Sequence, residues 1–246
     1  MRNSIYPFFI AILMSGCSYV PLYSPEMINH PLISQKGDIH VSVSGFLPGV
    51  VGFMSAAGIS NRFSVMANGF YSSNNPLHHQ YAELALGFYG LEKEKVTELF
   101  VGAGAAKAKS IPEHCDSGEM WCYNGDIIQE KGSYRRFFLQ MNRQMSHGFF
   151  QAIGSLRISA VRFSKIDKIE QVYNEQNYQV HFFSEVMPSA WQYYFEPAGT
   201  LRMSYKHLQL DWQVGFSLPF ARTLKYGHTA FWMGTGINYH FNVEGE

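Results

Sequence analysis

Residues 191–218 read WQYYFEPAGTLRMSYKHLQLDWQVGFSL, and the alternation within them decides the fold. From Trp191, every second residue is Trp191, Tyr193, Phe195, Pro197, Gly199, Leu201, Met203 and Tyr205. Between them stand Gln192, Tyr194, Glu196, Ala198, Thr200, Arg202 and Ser204. After Lys206 the pattern restarts: Leu208, Leu210, Trp212, Val214, Phe216 and Leu218 alternate with Gln209, Asp211, Gln213, Gly215 and Ser217. Successive side chains of a strand point to opposite faces, so each segment has one oily and one wet face. Strands of ordinary globular proteins run about five to six residues. Strands this long, with aromatic ends and a charged second face, predict an all-β fold: a closed antiparallel up-and-down transmembrane β-barrel.

Working outward, the same period places ten strands near 38–46, 50–59, 62–72, 79–91, 95–107, 133–143, 148–163, 190–205, 207–218 and 229–241. The pattern allows eight to twelve, because the first two are weakly marked and residues 178–187 could extend a hairpin. All belong to one barrel domain, residues 37–242. Connections near 60, 92, 145 and 206 are short; on the other side, 108–132 and 164–189 are long. Outer-membrane barrels have short periplasmic turns and longer external loops, so this order orients the chain with both termini periplasmic. Pro197 lies inside a strand and predicts a bulge or an earlier strand end, since proline donates no ladder hydrogen bond. The run Gly102-Ala103-Gly104 reads as close strand packing.

Composition narrows the function. Nineteen basic residues balance nineteen acidic ones, and only 15% of the 246 residues are charged, so nothing attracts nucleic acid. No cofactor motif is present: the chain lacks a glycine-rich phosphate loop opening a helix and a metalloprotease motif. Adjacent His78 and His79 point to opposite faces of a strand and cannot chelate one metal together. Lys107 and Lys109 stand where a strand leaves the membrane, which suits interfacial snorkelling.

The first residues read as a lipoprotein signal peptide, 1–16. Arg2 precedes an apolar stretch from Ile5 to Met14, and Leu13-Met14-Ser15-Gly16-Cys17 sets small residues before a cysteine. Cys17 is therefore the expected lipidation site, and acylation would anchor it firmly in outer-membrane lipid. Residues 17–36, with Pro21, Pro25 and Pro31, read as a periplasmic tether. The remaining cysteines, Cys115 and Cys122, are expected to form a disulfide in an oxidising compartment. Near the carboxyl end, Phe231, Met233, Ile237, Tyr239 and Phe241 share a face and resemble the signal read by the barrel-assembly machinery.

If the oily face meets lipid, the wet face lines the lumen. That places Glu83, Glu98, Arg136, Arg157, Glu196, Arg202 and Asp211 inside, four acids against three arginines. A barrel of about ten strands is too narrow for a wide channel and is filled by side chains. Buried charges must be paired, so a carboxylate–guanidinium network plugging the lumen is expected. A narrow pore for small solutes is the second possibility. No set of residues has catalytic geometry readable from sequence, so no enzyme is expected.

Several segments together carry a family likeness. They are Cys17 with its Pro-rich tether, Gln35-Lys36-Gly37-Asp38-Ile39, Met66-Ala67-Asn68-Gly69, Glu83-Leu84-Ala85-Leu86-Gly87-Phe88-Tyr89 and Phe195-Glu196-Pro197-Ala198. In these the chain resembles lipidated outer-membrane β-barrel proteins of Bacteroidetes-type bacteria. The resemblance implies a fold and a location, with a structural or surface-interaction role, and no catalytic residue. The alternative is a soluble, lipid-tethered barrel of lipocalin type binding an apolar ligand, whose oily residues would face inward and charges outward.

Overall fold

A computed structural model describes residues 23, 25–46, 50–72, 77–93, 95–110, 127–146, 148–164, 166–174, 179–187, 189–220 and 230–243. The signal segment, Cys17, Cys115 and Cys122 lie outside them. The strands are β1 (Asp38–Phe46), β2 (Val50–Gly58), β3 (Phe63–Ser72), β4 (Leu77–Glu92), β5 (Lys95–Ser110), β6 (Ile127–Gln144) and β7 (Phe150–Phe163). After these come β8 (Ile166–Asn174), β9 (Gln179–Met187), β10 (Trp191–Tyr205), β11 (Leu208–Phe216), β12 (Leu218–Pro219) and β13 (Phe231–Asn242). β1 to β7 pair each with the next, β7 pairs with β10, β10 with β11, β11 with β13, and β13 with β1. Every pairing is antiparallel, and together they close a ten-stranded up-and-down barrel. The ring leaves no unpaired edge, the condition for backbone in lipid.

The faces fall as the alternation predicts. Leu84, Leu86, Leu99, Val101, Phe137, Leu139, Ile158, Leu201 and Trp212 are exposed on the outer wall, Leu84 and Leu86 at about 70%. Arg136, Arg157, Glu98 and Gln140 are fully buried in the lumen. The soluble alternative required the reverse placement. Trp191, Tyr193, Tyr205 and Tyr239 stand outward at the strand ends, in the manner of an aromatic girdle. Trp232, one position out of step with Met233 and Tyr239, faces inward and packs over Gly215, its partner in the β11–β13 ladder.

That pairing recurs. Gly87 faces Phe100 and Gly102 faces Phe138 across their ladders, and a Cβ on either glycine would run into the ring opposite. The inward glycines let large rings lie along the wall, the arrangement known as aromatic rescue. In this sense the Gly102–Gly104 run is close packing, though of a ring on a backbone more than of strand on strand.

Pro197 produces no bulge. β10 runs unbroken, and Pro197 sits opposite Leu156 on β7 in regular register. On its other side the ladder with β11 stops at Ala198–Gly215 and resumes, in the same register, at Phe195–Leu218. The missing donor thus splits one strand into β11 and β12 without moving the register. The connection 164–189 is not a plain loop: β8 and β9 form a hairpin that pairs with the first residues of β6 and carries the sheet beyond the barrel.

The turns joining β2–β3, β4–β5, β6–β7 and β10–β11 share one end of the barrel with the start of β1 and the finish of β13. This is called the turn end; the hairpin β8–β9 marks the loop end.

Candidate functional site

The buried polar side chains among the described residues gather in the lumen, and the central component there is not a wall residue. Residues 25–33, expected as a periplasmic tether, are buried inside the barrel. They enter at the loop end and run toward the turn end. Tyr23 stacks on Tyr194, with ring centroids 4.5 Å apart, and meets Tyr134 edge-on near the level where β6 outgrows β7. Ile33 reaches Glu98, near the start of β5. The chain then reverses at Gly37, whose φ of +82° suits glycine, and continues as β1. The Asp38 carboxylate fastens this reversal: it accepts from Ser34 N and Ser34 Oγ at 2.8 Å and from Gln35 N at 3.0 Å. Asn242 on β13 donates to the other oxygen at 2.8 Å, so the last strand also holds the turn.

Inside, the segment belongs to no helix or strand, so its backbone groups need partners from the wall. Gln213 satisfies Ile28 twice, accepting from its N–H at 2.7 Å and donating to its carbonyl at 3.0 Å. Gln140 and Asn142 both donate to the Asn29 carbonyl, at 2.6 and 3.1 Å. Glu98 accepts from the Ile33 N–H at 2.9 Å. Pro25 and Pro31 carry no N–H, which lowers the number of donors to be satisfied.

Charge is arranged in two groups. In the first, Glu26 of the segment meets both Arg136 and Arg157, the latter at 2.6 Å. Glu83 meets the same two arginines from the wall, at 2.5 and 3.4 Å. Asn68 donates to Glu83 at 2.6 Å, Tyr81 also donates to it, and Gln140 accepts from Arg157 at 2.7 Å. Two carboxylates thus share two guanidiniums, with Asn68 and Tyr81 completing Glu83, while Glu26 Oε2 and Arg136 Nε meet no hydrogen-bond partner among the described residues. In the second group, Arg202 grips Asp211 through two parallel bonds of 2.8 and 2.9 Å. His30 of the segment lies 2.9 Å from the same carboxylate, and its carbonyl accepts from Arg202 at 3.1 Å.

The seven wall residues picked from sequence are all buried in this lumen. Glu83, Arg136 and Arg157 come together around Glu26, and Arg202 joins Asp211 on its neighbouring strand. Glu98 and Glu196 are served by neutral donors instead. Asn142 holds Glu98; Tyr23 and Ser159 donate to Glu196 at 2.6 and 2.7 Å. Tyr23, Glu26, Asn29, His30 and Asp38 were not among the sequence candidates. A signal for them existed: residues 18–35 hold one formal charge among Tyr19, Val20, Leu22, Tyr23, Met27, Ile28, Leu32 and Ile33, too apolar for a solvated tether.

Above and below the charges the lumen is apolar. Tyr23, Met27 and Ile28 pack with Phe70, Tyr81, Tyr134, Phe163, Tyr194 and Trp232 toward the loop end. Ile33 packs with Met66, Tyr89, Phe100 and Phe138 toward the turn end. The lumen is therefore a layered core, wetter only in its middle, and the segment belongs to every layer. Among the described residues no group of three or more His, Cys, Asp or Glu side chains is disposed to hold a metal ion.

No family model and no curated protein matches the sequence. Among solved structures, the chain is similar to the translocator domain of autotransporter NalP from Neisseria meningitidis, at 11% identity over 83% of this chain and 86% of that one, with a TM-score of 0.41. It is also similar to CdiB from Acinetobacter baumannii, at 10% identity over 83% of this chain and 59% of that one, with a TM-score of 0.24. The barrel itself is read from the strand pairing above.

Proposed function

We propose that this chain is an outer-membrane β-barrel lipoprotein, closed by its own N-terminal segment, that serves as a platform for surface structure at its loop end. The observation that carries this reading is the occupation of the lumen by residues 25–33, bonded to the wall at Glu98, Arg136, Gln140, Arg157, Asp211 and Gln213. A passage for solutes needs an open axis, and here that axis holds packed chain. The test is conductance in planar bilayers. The intact protein is expected to be electrically silent, and a variant lacking residues 23–33 to show stepwise currents. Steady open-channel currents from the intact protein would defeat the reading and favour the narrow pore.

Orientation follows the rule that short turns face the periplasm. The carboxyl end of β13 then faces the periplasm. Tyr23 stands at the opposite end of the lumen, so this reading assigns Cys17 and its acyl chains to the cell surface. This replaces the expectation of two periplasmic termini. Tyr23 lies six positions after Cys17, a reach of roughly 20 Å when extended. An epitope inserted between residues 19 and 20 is expected to bind antibody on intact cells, as is one at residue 176 in the β8–β9 turn. Labelling at 176 but not at 19 would refute the surface anchor; labelling at neither would refute the orientation.

The platform reading assigns the Cys115–Cys122 bridge a role of fastening the long surface connection between β5 and β6. Assembly is assigned to the barrel-assembly machinery, because Met233, Ile237 and Tyr239 stand on the lipid-facing side of β13 where such a signal is read.

A further inference from the structure

The outer wall carries a second feature at the loop end. A cleft of about 470 Å³ opens there between β3, β4, β5, β6 and β8, and His78, Lys107, Lys109, Lys131, Ser133 and Asp167 line it. The lysines come together through register. Lys109 lies directly opposite both His78 on β4 and Lys131 on β6, and Lys107 lies between Gln80 and Ser133. Like charges directly opposite each other in a ladder are unfavourable unless an anion joins them. Asp167, the partner of Lys131 on β8, offsets one of these charges, and no lysine of the three is in an ion pair with a described residue. A second like-charged pair, Arg135 opposite Arg162, continues the cationic strip onto β7, where Arg162 lies over the Trp191 ring.

Position says what such a cleft meets. On β5, Lys107 and Lys109 follow Leu99, Val101, Ala103 and Ala105 along the same outward face. The cations therefore begin where the apolar band ends, on the lipid side of the wall and not in the lumen. Snorkelling accounts for one lysine at such a level. It does not account for three lysines and a histidine gathered around one concavity, on adjacent strands, with Tyr71 at its edge and Leu84 and Leu86 below it.

We infer that this cleft binds the phosphates of an anionic glycolipid headgroup in the outer leaflet, with the acyl chains lying on the apolar wall beneath. The lysines supply point charges, Ser133 and Gln80 supply neutral polar contacts, and the leucines of β4 supply the surface for the tails. This assignment rests on the outer-membrane reading, since that reading determines which lipid faces the loop end.

The experiment uses the full-length protein in neutral detergent micelles and three probes: bisphosphorylated lipid A, the same lipid without its phosphates, and phosphatidylglycerol. Native mass spectrometry reads the bound lipid. Bisphosphorylated lipid A is expected to be retained, the dephosphorylated lipid not, and raising sodium chloride from 0.05 to 0.5 M to weaken retention at the exposed site. K107Q/K109Q/K131Q is expected to lose at least tenfold in apparent affinity, whereas K107R/K109R/K131R and the opposite-end variant K95Q/R143Q keep it. Heat-modifiable migration on gels confirms that each variant is folded. Equal retention of both lipid A forms, unchanged binding by the glutamine variant, or a preference for phosphatidylglycerol would overturn the proposal. Cell fractionation separates the two readings: recovery in the inner membrane sinks the location, whereas recovery in the outer membrane without lipid A binding sinks the cleft alone.

Discussion

Glu83→Ala is expected to lower the unfolding free energy of the barrel by about 3–5 kcal/mol, the range seen when one partner is removed from a buried ion network. Glu83 is fully enclosed, and its two oxygens face Arg136 and Arg157. Without it, two guanidiniums share the single carboxylate of Glu26, on a segment tied to the wall by side-chain bonds and not by a strand ladder. Their like charges then repel across a short distance in a medium where water cannot screen them. Asn68 and Tyr81 also lose their acceptor, leaving buried donors unmet. Urea titration in micelles, followed by tryptophan fluorescence, measures the change. A loss under 1 kcal/mol would mean that the arginines find other partners or that water reaches them. Glu83→Gln keeps the shape and part of the hydrogen bonding, so it is expected to fall between the wild type and Glu83→Ala.

Asp211→Ala is the second large effect, and its interest lies in a contrast. Alone it is expected to destabilise by about 3–5 kcal/mol, because Arg202 keeps only the His30 carbonyl as an acceptor. Replacing both partners, as Arg202→Met with Asp211→Leu, is expected to restore most of that loss, since an apolar pair of similar volume has no stranded charge. The coupling from the double-mutant cycle should therefore be large, about 2 kcal/mol or more. The two variants should also separate stability from specificity. The paired replacement leaves His30 without its 2.9 Å contact, so the segment should be held less firmly even in a stable barrel. Limited proteolysis near residue 30 reads this directly. Additive single-variant losses would show that the two side chains act independently.

The wall was legible because its rule is local. Each strand has one face in oil and one in the lumen, so Leu201 and Arg202 declare themselves by neighbouring positions alone. The strand ends at the turn end could be placed nearly to the residue for the same reason, since Lys206-His207 and Glu92–Lys95 interrupt the alternation cleanly, whereas at the loop end β6 begins at Ile127, six residues before the expected 133. Three things were not legible. That Trp232 faces inward follows from its alternation with Met233, but its seat on Gly215 depends on the register of β11 with β13. Pro197 could be flagged as a missing donor, but whether the register would shift depends on β7 holding β10 straight from the other side. The lumen segment has no periodicity at all, because Glu26, Ile28, Asn29, His30 and Ile33 are bonded to wall positions far away in the chain. Glu26 meets Arg157 across 131 residues, and Tyr23 meets Glu196 across 173. Pattern reading sees neighbours, and a filling of this kind is specified by distant partners.

The reversal at Gly37 has a consequence for biogenesis. The strand that follows it, β1, is zipped to β13, so the seam that completes the cylinder joins the first strand made to the last. Residues 25–33 are covalently continuous with one lip of that seam and lie inside the finished ring. The order expected from this continuity is that the sheet curls around them as a mandrel, while it is still an open ribbon, before its lips meet.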